Sequence, residues 1–202
     1  MRKFVIAAAL IALFVTPALA QAPQGTPTRI RGFVDKLDGN KLSVRTREGP
    51  VVTITLADNY AVSALVKKSA SDIKENDYVF TTGLKDGDGK LRCTELRIAP
   101  EPLRGIAEGQ TPWDSQPDAI MTNATVTGIA TARIGQTVKV KFKDSESEFT
   151  VDGQCLVFGY IQGDKDLLQH GAAVFVVAQK SPEGNLTAAR ITAEKDGVKP
   201  PM

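Results

Sequence analysis

Alternation of apolar and polar residues at a period of two constrains this chain more than any other feature. Leu42, Val44 and Thr46 alternate with Lys41, Ser43 and Arg45, and Val52, Ile54 and Leu56 alternate with Thr53 and Thr55. The pattern returns in Val138, Val140 and Phe142 between Lys139, Lys141 and Lys143, and in Phe149 and Val151 beside Glu148 and Thr150. Successive side chains of a strand point to opposite faces, so these runs read as half-buried strands and cannot bury one face as helices. Turn chemistry separates them at Asp38-Gly39-Asn40, Glu48-Gly49-Pro50, Asp86-Gly87-Asp88-Gly89 and Ser181-Pro182-Glu183-Gly184. An all-β chain follows.

The strands fall into two similar halves. Ile30-Arg31-Gly32-Phe33-Val34 opens the first and Val126-Thr127-Gly128-Ile129-Ala130 the second, with opening glycines 96 apart. Gly89-Lys90-Leu91 and Gly184-Asn185-Leu186 introduce the closing strands, 95 apart. Each half reads as three strands, a short helix or ordered loop (Asp58 to Lys74, Asp152 to Gln169), then two more strands. That is the element order of a five-stranded OB-like barrel, which also removes exposed sheet edges. Two tandem small OB-like β-barrels are expected, over residues 29–98 and 125–194. A segment at 21–28 and a tail at 195–202 are expected to be disordered.

Gly32 to Val34, Ser71-Asp72-Ile73, Asn76-Asp77-Tyr78-Val79 and Gly89 to Ile98 carry a further pattern, with Asp166-Leu167-Leu168 and Gly171 to Val174 in the second half. On these residues each half resembles the exported bacterial domain-of-unknown-function family of small OB-like β-barrel domains, the second copy divergent. The motifs are turn and core residues, so the resemblance implies a fold and carries no activity.

Arg2 and Lys3, an apolar run from Phe4 to Val15, and Ala18-Leu19-Ala20 have the layout of a secretory signal peptide over residues 1–20, cleaved after Ala20. The apolar run is too short to span a membrane as a helix. A periplasmic protein, with no membrane contact after cleavage, is expected. Removing Arg2 and Lys3 from 25 basic residues leaves 23 against 23 acidic ones. A formally neutral chain lacks the basic excess that displaces counterions from phosphates, so no nucleic-acid partner is expected. After export Cys93 and Cys155 can bridge the two halves or remain separate buried thiols.

Residues 99–124 form a connector with Pro100, Pro102, Pro112 and Pro117 and the only Trp, Trp113. Leu103, Ile106, Trp113, Ile120 and Met121 suit packing against both barrels; a contact surface centred on Trp113 and Asp114, or a mobile spacer, are the alternatives.

Catalytic and metal chemistry is thinly represented. The only His, His170, sits in Gln169-His170-Gly171 before a strand, and no Gly-x-Ser-x-Gly elbow accompanies it. His170 reads as an exposed turn residue, with metal ligation or a pH-sensitive contact as alternatives. One His and two isolated Cys do not make a zinc site, and Asp86-Gly87-Asp88-Gly89 lacks the rest of a calcium loop. Lys139, Lys141 and Lys143 are expected across a hairpin from Glu146 and Glu148 as a solvated face. The function expected is that of a non-enzymatic binding or scaffolding protein, without metal or cofactor, for an unknown protein or small-molecule partner. The alternative is a metal- or cofactor-handling accessory using His170 with Asp164 and Asp166.

Overall fold

The computed structural model describes residues 25–87 and 90–201. The expected signal peptide, residues 21–24 and Gly89 of the first closing motif lie outside the described residues. Among the described residues twelve strands form one continuous sheet: β1 (Thr26–Asp38), β2 (Lys41–Thr46), β3 (Val51–Lys68), β4 (Tyr78–Lys85), β5 (Leu91–Ala99), β6 (Gly109–Pro112), β7 (Ile120–Thr131), β8 (Gln136–Phe142), β9 (Ser145–Val151), β10 (Leu156–Gln162), β11 (Ala173–Lys180) and β12 (Leu186–Ala193). The other regular elements among the described residues are single-turn 3-10 helices at Ala70–Asp72, Glu101–Leu103 and Lys165–Leu167. The all-β class is therefore the observed one.

The strands close differently from the expected one barrel per half. β1, β2 and β3 of the first half are joined by β11 and β12 of the second: β1 pairs with β2 and β11, β2 with β3, β3 with β12, and β12 with β11. This is a closed five-stranded barrel. A second circuit runs from β5 to β4, β7, β8 and β9 and returns to β5 through two residue pairs, Leu91 opposite Phe149 and Arg92 opposite Thr150. Neither circuit is drawn from residues 29–98 or 125–194 alone.

The reason lies in the segments expected to hold a helix or loop. β3 continues through Asp58 as an 18-residue strand, about 60 Å at 3.3–3.4 Å per residue. Its first part pairs with β2 and β12, and its last part, Ser63 to Lys68, pairs antiparallel with β10. β10 in turn lies parallel to β5. The β3–β10 ribbon carries the chain out of each circuit before its last two strands are made, so those strands complete the other one. Ala64 and Leu65 are buried in this stretch, although its polar start hides the strand from a period-two reading.

Each circuit encloses its own core. Ile30, Val34, Leu42, Val44, Ile54 and Leu56 meet Val174, Val176 and Ile191 in the first; Val79, Leu96, Val126, Val138, Val140 and Phe149 meet in the second. Gly32 is required where β1 crosses β2, because a Cβ there would come within 2.1 Å of the Arg45 carbonyl oxygen. Thr26 to Thr28, expected in a disordered segment, pair with Lys180 to Ala178. The tail expected to be disordered makes a bridge between Lys195 and Val198 and buries Pro200.

Candidate functional site

The connector becomes a strap over both circuits. On the second circuit, β6 pairs with β7, the Tyr78 hydroxyl donates to the Ile106 carbonyl at 3.0 Å, and Asn123 donates to the carbonyls of Ile106 and Ala107. Burial pushes the Tyr78 hydroxyl up to about 12. Leu103 and Trp113 pack on Tyr78, Phe80 and Met121 beneath. The chain then crosses to the outer face of β1 and β11.

There Trp113 and Asp114 meet Arg31, which faces away from the core residues Ile30 and Val34 on the same strand. Both terminal nitrogens of Arg31 donate to the Asp114 carboxylate, each at 2.9 Å. The Arg31 side chain is 4% exposed and that of Asp114 is 47% exposed. Burial works to raise the Asp114 carboxyl, but the Arg31 hydrogen bonds and charge outweigh it and hold the group below the usual carboxylate range. Trp113 carries Arg29 over its ring at 4.3 Å and Arg31 at 5.2 Å, and meets Phe175 edge-on at 6.4 Å. Arg31 also lies 5.0 Å from the Phe175 ring centre. Arg31 and Phe175 are direct cross-strand partners, so the sheet register builds this seat before the strap reaches it.

A second buried arginine lies on the second circuit. Arg97 Nε and Glu95 Oε1 are 2.9 Å apart as an ion pair, without the alignment of a hydrogen bond. Arg97 donates to the Tyr160 hydroxyl at 3.2 Å, and its guanidinium lies 5.8 Å from the Phe80 ring centre. Burial raises the Glu95 carboxyl against the opposing charges of Arg97 and Arg31.

The sequence-named residues separate into two groups. Trp113 and Asp114 come together on Arg31; His170 lies elsewhere. Its ring is exposed, and Nδ1 is 2.8 Å from the Asp35 carbonyl oxygen at the bulge where the β1–β2 register shifts. Asp164 accepts from the backbone of Asp166 and caps the turn at Lys165–Leu167. Among the described residues no three His, Cys, Asp or Glu side chains approach closely enough to hold a metal ion. A shallow depression of about 430 Å³ lies between Tyr60 and Lys165, with the Lys165 ammonium 4.3 Å from the Tyr60 ring centre. Cys93 and Cys155 are bridged, with an S–S distance of 2.02 Å and Cα atoms 5.2 Å apart. No helix among the described residues is long and apolar enough to cross a membrane.

Sequence reasoning missed Arg31, Phe175 and Arg97 as site residues. Their strands alternate, and an outward arginine reads as solvated; only the strap and the facing circuit bury it. It also missed a row across three strands. Phe33 on β1 faces Arg45 on β2, which faces Val51 on β3. Phe33 and Val51 are 40% and 46% exposed, and nearby Val177, opposite Arg29, is 48% exposed. No family model matches the chain, and neither does a curated protein or a solved structure.

Proposed function

We propose that this is an exported, periplasmic, non-enzymatic binding or scaffolding protein that contacts a partner through the outer face of β1, β2, β3 and β11. The observation that carries the reading is the exposed row of Phe33, Arg45 and Val51, with Val177 and Arg29 on the same outer face beyond the strap-covered Arg31–Phe175 pair. Singly scattered apolar side chains are ordinary on a surface; an outer face on which each exposed apolar side chain lies opposite an arginine has the composition of a contact patch. The Cys93–Cys155 bridge supports the export reading, because such bonds persist in oxidising compartments. The balanced charge of the mature chain favours a protein or small-molecule partner over nucleic acid.

The same reading takes the two circuits as two copies of one OB-like unit that have exchanged their last two strands. Their closing registers support it. β12 meets β3 with Leu186 opposite Ile54 and Arg190 opposite Ala61, and β5 meets β9 and β10 with Leu91 opposite Phe149 and Glu95 opposite Leu156. Corresponding positions are 95 apart on both sides of the pair (186 − 91 and 149 − 54).

A photo-crosslinking residue placed at position 33 or 51, and at position 139 on the charged face of β8 as a control, tests the contact surface in exporting cells. Discrete adducts at 33 and 51 and none at 139 are expected. Equal labelling at all three positions, or none, would remove this face as the contact surface.

A further inference from the structure

The strap holds the two circuits by different means. On the second circuit the grip is spread over backbone and several side chains: the β6–β7 ladder, the carbonyls of Ile106 and Ala107 as acceptors, and hydrogen bonds of Arg104, Glu108 and Gln110 to Asn76, Lys143 and Ser147. On the first circuit, among the described residues, the strap's hydrogen bonds and ring contacts come from the side chains of Trp113 and Asp114. The receiving side is set by the sheet register, which pairs Arg31 with Phe175; under the strap Arg31 is 5% exposed, Phe175 is 8% exposed, and the Arg31 Nε has no hydrogen-bond partner. The entering carboxylate is the exposed side of the pair. An aromatic ring and an adjacent carboxylate seated on paired arginines is the chemistry of acidic-peptide recognition.

We propose that Arg29, Arg31 and Phe175 form a recognition site for a protein partner's segment carrying an aromatic residue followed by aspartate, and that Trp113 and Asp114 occupy it as an internal competitor. This rests on the binding-module reading and names the chemistry of its partner. A tethered competitor acts at an effective concentration in the millimolar range for short linkers, so an external segment needs contacts beyond the seat. Phe33 and Val177 supply them. Each lies two residues along its strand from a seat residue, Phe33 from Arg31 and Val177 from Phe175, and so on the same outer face.

The test uses the full chain carrying Trp113→Ala and Asp114→Ala, which vacates the seat and leaves no other Trp. The probe is the synthetic pentapeptide Thr-Pro-Trp-Asp-Ser, whose own Trp reports binding by fluorescence. Saturable binding is expected, weakened about tenfold when the peptide's Asp is replaced by Asn or when Arg31→Met is added, since a charge-assisted bidentate contact is then lost. The chain with its own Trp113 and Asp114 should bind at least about tenfold more weakly. No saturable signal, or equal binding of the Asp and Asn peptides, overturns the proposal. Should circular dichroism show the double variant unfolded, Asp114→Asn is titrated with Thr-Pro-Phe-Asp-Ser, which contains no Trp. Release of Trp113 to water should shift its emission to the red; unmoved emission overturns the proposal. Adducts at positions 33 and 51 together with an indifferent peptide would discard the internal competitor alone and leave the binding surface standing.

Discussion

The two circuits are closed by different bonds at the same place in their strand order. In the first, β12 lies parallel to one strand, β3, over three residue pairs, a register shift and three more. In the second, β5 lies parallel to two successive strands, over two pairs with β9 and then four with β10. At that change the chain carries the Cys93–Cys155 bridge and the side chain of Arg92, which donates to Asp152 and Gln154 at 2.9 Å each. The positions 95 residues from the two cysteines are Ala188 and Tyr60. Where one continuous strand carries both runs of the ladder, hydrogen bonds and core packing suffice; where the runs fall on two separate strands, a covalent link and an ion pair hold the seam.

Breaking the covalent link should have the largest effect. Replacing Cys93 and Cys155 by Ser opens a loop with a sequence separation of 62 and should cost about 4 kcal/mol in the chain-entropy account. Denaturant unfolding gives the magnitude. Hydrogen exchange gives the location: Leu91, Arg92, Phe149 and Thr150 should lose protection while the β3–β12 pairs keep theirs.

Next in size is a glycine comparison. Gly32→Ala drives a Cβ into the Arg45 backbone and should cost about 3 kcal/mol as β1 and β2 are forced apart. Gly128→Ala meets only the Lys139 Cβ, at 4.0 Å, and should change stability by less than about 1 kcal/mol. Thermal or denaturant melts of the two variants decide it, and equal losses would contradict the assigned contacts.

Asp114→Asn should cost about 1–2 kcal/mol at neutral pH, because a charged acceptor is withdrawn from a buried guanidinium. The sign with pH follows from the lowered Asp114 carboxyl. A carboxylate whose folded value lies below its unfolded value of about 3.9 contributes stability above that pH, and the contribution is lost as pH falls through the folded value. The acid limb of the stability curve below about pH 4 should therefore be shallower in the variant. Smallest of all, Arg92→Ala should cost about 1 kcal/mol: that side chain is 46% exposed, and Asp152, 7% exposed, keeps the Gln154 backbone N–H as a donor. In the chain lacking the disulfide the same change should cost more, which a double-mutant cycle measures.

Local pairing was legible in the sequence, and closure was not. The β8–β9 hairpin has the expected register, with Lys139 opposite Glu148 and Lys141 opposite Glu146, because alternation and the turn together fix which residues face each other. Alternation says which face a side chain takes and nothing about which half supplies the neighbouring strand. The opening glycines show the limit of motif matching. Gly32 faces Val174, and the residue facing Val79, 95 positions earlier, is Ala124 and not Gly128. Gly128 instead follows the register shift after Val126, in the place that Lys36 takes after Val34. At the candidate site Trp113 and Asp114 stood out by composition, whereas Arg31 became visible only once the strap was seen to cover it.

Nuclear Overhauser contacts between backbone protons decide whether the two halves exchange strands. Cross-strand contacts are expected from β1 to β11, as between Arg29 and Val177 or Arg31 and Phe175, and from β3 to β12. Contacts instead from β1 to β4 and from β3 to β5 would mean that each half closes on itself, and would contradict the exchanged fold.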